Sequence, residues 1–335
     1  MTALIAGGLL ASALAVLAWR RTHGRRARPL PVPAGPLPAT AAMVADGGAH
    51  ADLAGMRRDW MLPLVEMAFG QQADATANAG EDAIAAATLA LERFGAQPQR
   101  LPRRPQLLPQ LLGTLRDDAA SRREIAAVIG RDPALAGNLL KLANSAMYRV
   151  QTAPVESIER AVALVGTQGL RRLVAVALMQ PVMRVEGGGL GQLPELVWEH
   201  TQYAALAAEE YARAADCGED AFPAQLLALL QGLGVIVAMR ALNDACAGRH
   251  LPAHADMAAF LQRGALQLAR LMARDWGLSG RALRALDDQA LADPSAMDPL
   301  GRALMVAGPL GLASMRVVRD ADPQEPGAVA GMAGA

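Results

Sequence analysis

The stretch from Phe222 to Met239, FPAQLLALLQGLGVIVAM, has no charged side chain and is apolar on every side. It has the length of a helix rather than of a strand. A helix that is apolar all round must be enclosed by other elements. This segment therefore belongs at the centre of a bundle, and the remaining sequence must supply the helices that surround it.

Those helices are legible from their start and stop signals. In LPRRPQLLPQLLGTLRD, Leu108, Leu111, Leu112 and Leu115 share one face. Ser121 and Glu124 form a capping box ahead of Ile125, Val128 and Ile129. Asp132 and Pro133 provide a cap and a first-turn proline for ALAGNLLKLAN, which ends near Asn144 and Ser145. Ser157 caps IERAVALV, Gly166 stops it, and Thr167 starts QGLRRLVAVALM. The run 187–194, GGGLGQLP, is a loop. In ELVWEHTQYAALAAEEYARAA the residues Val197, His200, Ala204, Ala207 and Tyr211 recur on one face, which puts His200 on the buried side. MAAFLQRGALQLARLMARDWGL is amphipathic. No alternating strand pattern competes, so the fold is expected to be all-α. Aromatic residues are 3% of the chain, so its core must be built from Ala, Leu, Val and Met.

The N-terminus reads differently. Ala3–Trp19 is uncharged and would span roughly 26 Å as a helix, the short end of a membrane crossing. A signal peptide carries its positive charge before the apolar run. Here Arg20, Arg21, Arg25, Arg26 and Arg28 follow it. By the positive-inside rule, residues 1–28 are expected to be a single-pass anchor in the inner (cytoplasmic) membrane, with the main domain in the cytoplasm. Residues 29–55 form a Pro/Ala/Gly-rich linker. Residues 56–96 are a helical lead-in without recognisable chemistry, 97–320 the main helical domain, and 321–335 a disordered tail.

Charge and motifs exclude several functions. Lys+Arg and Asp+Glu are 32 each, so no global field draws the chain to nucleic acid. SIERAVALVGTQGLRRLVAVAL has helix–turn–helix spacing. Its second helix, however, is largely apolar apart from Arg171 and Arg172, and base recognition needs exposed polar side chains. Cys217 and Cys246 form neither a disulfide framework nor a zinc motif. There is no P-loop and no dinucleotide-binding fingerprint.

Several stretches in order resemble the HDOD family, the HD-related output domains of bacterial signalling proteins. They are LPRRPQLLPQLL, IAAVIGRDPALAGNLLKLANSAMY, VESIERAVALVGTQGLRRLVAVAL, VWEHTQYAALAAEEYA, AFPAQLLALLQGLG and LARLMARDWGLSGRALRAL. The resemblance covers about residues 101–290 and includes Asp132, Pro133, Asn144, Ser145, Gly166 and Trp276. It implies a multi-helix bundle similar to metal-dependent phosphohydrolases, usually without their activity, that works as an adaptor in sensory pathways. In the parent superfamily the helix matching LLALLQGLG carries adjacent His and Asp metal ligands. This chain has Gln231 and Gly232 at those positions. A neutral amide is a poor ligand, and glycine offers none.

The other candidate ligands are few. His200 matches the superfamily's first histidine, and as a core histidine it would be neutral and hydrogen-bonded. His250 and His254 have ligand spacing, but Pro252 interrupts them. Asp287 and Asp288 read as a solvated helix end. Gln231 is expected to tie neighbouring helices by hydrogen bonds, and Gly232 and Gly234 to admit a close facing helix. The expectation is a non-catalytic signalling or scaffold module without metal or cofactor. Its partners would be signalling proteins such as a kinase or a cyclic-di-nucleotide enzyme. The alternative is a diverged HD-type phosphohydrolase using His200, Asp287 and Asp288.

Overall fold

A computed structural model of the chain describes residues 58–70, 80–97, 101–105, 126–127, 129–130, 133–144, 154–179, 189–215, 220–246 and 250–321. Every regular element among them is helical. In chain order these are α1 (Met61–Phe69), α2 (Glu81–Ala96), α3 (Pro133–Ala143), α4 (Ile158–Met179), α5 (Leu193–Ala214), α6 (Ala221–Cys246), α7 (His254–Asp275), α8 (Gly280–Asp287) and α9 (Pro299–Ala321). Two single 3-10 turns, Asp288–Ala290 and Pro294–Ala296, lead from α8 to α9. The all-α class read from the sequence is the class observed.

Helix α6 is the axis of the bundle. It packs against α5, α7, α2, α4 and α9. Leu229, Leu230, Leu233, Val235 and Ile236 are completely buried on it. Each such side chain contributes about 1.5–3 kcal/mol over an exposed one. By length and composition α6 could cross a membrane, but 83% of its most apolar window is buried within the bundle. Its apolar surface is therefore met by protein, as the sequence demanded.

The other predicted elements follow their signals. Gly166 interrupts α4 with φ 69° and ψ −178°, so two helical segments meet at a sharp kink. A side chain in that left-handed region costs about 1–3 kcal/mol. On α5, Val197, His200, Ala204, Ala207 and Tyr211 are all buried.

Two parts of the fold go beyond the sequence reading. The lead-in is not a separate element: α1 packs on α7 and α5, and α2 packs on α6 and α7. Met61, Leu64, Val65 and Ala87 are completely buried in the same core. Helix α9, which shows no clear helical signal at the level of sequence, lies along α5 despite an internal proline, Pro309. Trp60, at the N-cap of α1, meets both α5 and α9, through His200 and Gly308.

Candidate functional site

The positions expected to match the superfamily's ligands are His200 on α5 and Gln231 and Gly232 on α6. Helix packing is tight at Gly232. A Cβ at this position would overlap Oγ1 and Cγ2 of Thr201 on α5. Thr201 is itself buried and committed, its hydroxyl donating to the Val197 carbonyl at 2.6 Å. There is no room for an aspartate at 232 without rebuilding the α5–α6 contact. Gly234 does the same for α7, where a Cβ would overlap the Ala265 carbonyl. The close approach expected of both glycines is present, toward two different helices.

His200 is 2% exposed. Its Nε2 lies 2.9 Å from the Gly308 carbonyl. A carbonyl only accepts, so Nε2 carries the proton. The indole of Trp60 stacks on the imidazole, with ring centroids 4.3 Å apart and planes 13° from parallel. Burial pushes the imidazole pKa down to about 4, and the bond to Gly308 opposes this only in part. His200 is therefore neutral near pH 7, with one nitrogen bonded to backbone and its face covered by a tryptophan.

Gln231 borders a cavity of about 80 Å³ shared with Trp60, Gln262, Gln289 and Met305. Its amide has no hydrogen-bond partner among the described residues. The tie between helices expected of Gln231 is not seen among the described residues, where the residue borders the cavity. The ties come from elsewhere. Gln262 Nε2 donates to the Arg58 carbonyl at 2.8 Å. Gln289 Nε2 donates to the carbonyls of Ala285 and Gly301, at 2.8 and 2.9 Å. Arg58 donates to the carbonyls of Leu291 and Ala292, at 2.5 and 3.0 Å. The lead-in, which the sequence left without chemistry, thus inserts Arg58 and Trp60 into the site.

The remaining candidate ligands do not join His200. Asp287 is exposed and paired with both nitrogens of a fork from Arg270, whose hydrogen bond holds its carboxyl below the usual range. Asp288 is structural rather than solvated: its Oδ2 accepts the Asp298 amide at 2.9 Å, and it packs against Gly301. His250 is exposed and lies before α7, while His254 starts that helix and tilts against Phe69 at 5.7 Å. Among the described residues no group of three His, Cys, Asp or Glu is arranged to hold a metal. The residues at the expected His–Asp position do not fit one. Gly232 has no donor atom or room, Gln231 is neutral, and His200 is covered.

A sequence search of curated proteins finds no match. The family model of the HDOD domain matches residues 101–289. The chain belongs to the HDOD domain family. Three solved structures resemble it. An HDOD domain protein of unknown function from Geobacter sulfurreducens is 18% identical, with 70% of this chain and 77% of that one covered and a TM-score of 0.49. A Shewanella amazonensis SB2B protein named as a metal-dependent phosphohydrolase is 17% identical, covering 71% and 99% at a TM-score of 0.46. A second protein from that organism, named as a phosphohydrolase, is 21% identical, covering 69% and 88% at 0.47.

The HDOD motif residues that are described have structural work to do. Asn144 Nδ2 donates to the carbonyls of Leu140 and Val155, at 2.9 and 2.7 Å, while its Oδ1 accepts the Val155 amide at 2.7 Å. It bridges the end of α3 to the segment just before α4. Trp276 is buried at the end of α7; its Nε1 donates to the Pro102 carbonyl at 3.0 Å, and Arg104 donates to the Trp276 carbonyl at 2.7 Å. The HDOD entry segment is thereby fastened to α7. The second half of the helix–turn–helix-like α4 buries Leu170, Leu173, Val174 and Val176, so it is a core helix. Asp132, Ser145, the segment expected to be an anchor and its Arg20, Arg21, Arg25, Arg26 and Arg28 flank lie outside the described residues, as do the side chains of Pro133, Arg171 and Arg172.

Sequence reasoning missed Trp60, Gly308, Gln262 and Gln289. One signal was available. Gly301, Gly308 and Gly311 are seven and three residues apart, and a Cβ on them would overlap or crowd Asp288, Trp60 and Ala204 respectively. That spacing marks one face of a helix on which neighbours come close. The identity of those neighbours is long-range information that spacing does not carry.

Proposed function

We propose that this HDOD protein is a non-catalytic signalling or scaffold module that acts by protein–protein interaction at the cytoplasmic face of the membrane. The observation that carries the reading is the state of the former metal position: an indole stacked on His200, and Gly232 closed against Thr201. Water activation on a divalent ion needs a cluster of imidazole and carboxylate donors around an open coordination position. Here packing takes the place of those donors. The partners are signalling proteins, such as a kinase or a cyclic-di-nucleotide enzyme. The membrane is reached through Ala3–Trp19, whose basic flank orients the domain inward.

The test is a hydrolysis assay of the purified full-length protein with phosphodiester and phosphomonoester substrates, supplemented with manganese, iron or zinc. No turnover above buffer is expected. Metal-dependent turnover that disappears in His200→Ala would establish the phosphohydrolase instead. Against that alternative, Asp287 is held by Arg270 and Asp288 by the Asp298 amide, so neither is available to His200.

A further inference from the structure

The recess around Trp60 has the features of a binding site. His200 forms one wall and offers its flat face to the indole. Gly308 forms another, and its missing side chain is what leaves room, since a Cβ there would overlap the indole at Cδ1. Trp60 also borders a cavity of about 80 Å³, lined by Met305 and by Gln231, whose amide has no hydrogen-bond partner among the described residues. That space accommodates a few water molecules. The walls do not depend on Trp60. His200 and Gly308 lie on α5 and α9, which pack along one another, and Gln231 lies on the central α6. Nor does the docking of α1 depend on Trp60, because Met61, Leu64 and Val65 are completely buried. The segment just before α1 is held differently, by the Arg58 contacts to Leu291 and Ala292 at the surface and by one bond from Gln262.

We propose that this recess is a site for a planar aromatic ligand, occupied by the chain's own Trp60 as an internal ligand. Trp60 and an incoming ring exclude each other. A ligand that takes the recess turns Trp60 out and frees Arg58–Trp60, while α1 stays anchored through Met61, Leu64 and Val65. The site thus couples a small aromatic group to the position of the chain entering the domain, because the ligand binds only the conformation in which Trp60 is out. The inference concerns ligand binding and stands whether or not the protein acts through a protein partner.

The experiment uses the full chain and indole as probe. In Trp60→Ala, indole is expected to bind saturably and to raise Tm. Binding to the unaltered protein should be at least about tenfold weaker, because Trp60 competes for the recess. Trp60→Ala/Gly308→Leu, in which the leucine fills the vacated space, should lose the response. An indole response absent from Trp60→Ala, or undiminished by Gly308→Leu, would overturn the proposal. Fluorine NMR of the fluorotryptophan-labelled unaltered protein gives a reading that does not require the alanine variant to fold. Saturating indole should shift the Trp60 resonance, assigned by its loss in Trp60→Phe, and a resonance that stays in place would also overturn it.

Discussion

At the scale of the residue, two features govern the packing around His200 and Gly232: the imidazole is buried and neutral near pH 7, and Gly232 has no room to be anything larger. The first has a pH signature. The imidazole titrates near 4 in the native state and near 6.5 when unfolded. Between those values the unfolded chain holds a proton that the native state does not, so stability falls as pH drops from about 6.5 to about 4. The loss from this group is up to roughly 3 kcal/mol, and it is fully regained above pH 6.5. His200→Gln should flatten the urea-denaturation stability curve across that window. The second predicts that placing the superfamily's carboxylate at position 232 harms the fold. Gly232→Asp should cost more than about 2 kcal/mol, by overpacking against Thr201 and by burying a charge. Paired with Thr201→Gly it should recover part of the loss, read as Tm. A Gly232→Asp protein as stable as the parent would mean that the α5–α6 contact is looser than described.

At the scale of the element, sequence signals served where the cause was local and failed where it was not. Gly166 announced the kink in α4 because its positive φ is a local requirement. The face of α5 was readable because burial imposes a helical period on neighbouring residues. Helix α9 was hard to read because Pro309 and three glycines are poor helix formers, and their reason for being there lies in distant partners. Trp60 was unreadable for the same cause: it meets residues far along the chain, His200 and Gly308. Gln231 suggested a hydrogen bond between helices because it is an amide in an apolar helix; among the described residues it borders a cavity instead. The connection between α3 and α4 gives the clearest prediction at this scale. Asn144→Ala removes three hydrogen bonds and strands both backbone groups of Val155, which is buried. A loss of about 2–4 kcal/mol in chemical denaturation is expected, with faster hydrogen exchange at the Val155 amide.

At the scale of the whole molecule, one apolar core joins the lead-in helices to the HDOD bundle, and the chain entering that core lays Trp60 against His200 and Gly308. Upstream of it, the sequence places a charge-free segment followed by five arginines. If that segment is the anchor, the full-length protein stays with the membrane pellet after carbonate extraction, and release into the supernatant would remove the membrane from the account. The central claim, that packing has replaced metal chemistry in this HDOD domain, is tested most directly by metal content. The measurement is elemental mass spectrometry on full-length protein purified without chelators or a histidine tag. The account predicts less than about a tenth of an equivalent of manganese, iron or zinc, whereas about one or two equivalents, the occupancy of a real centre, would contradict it.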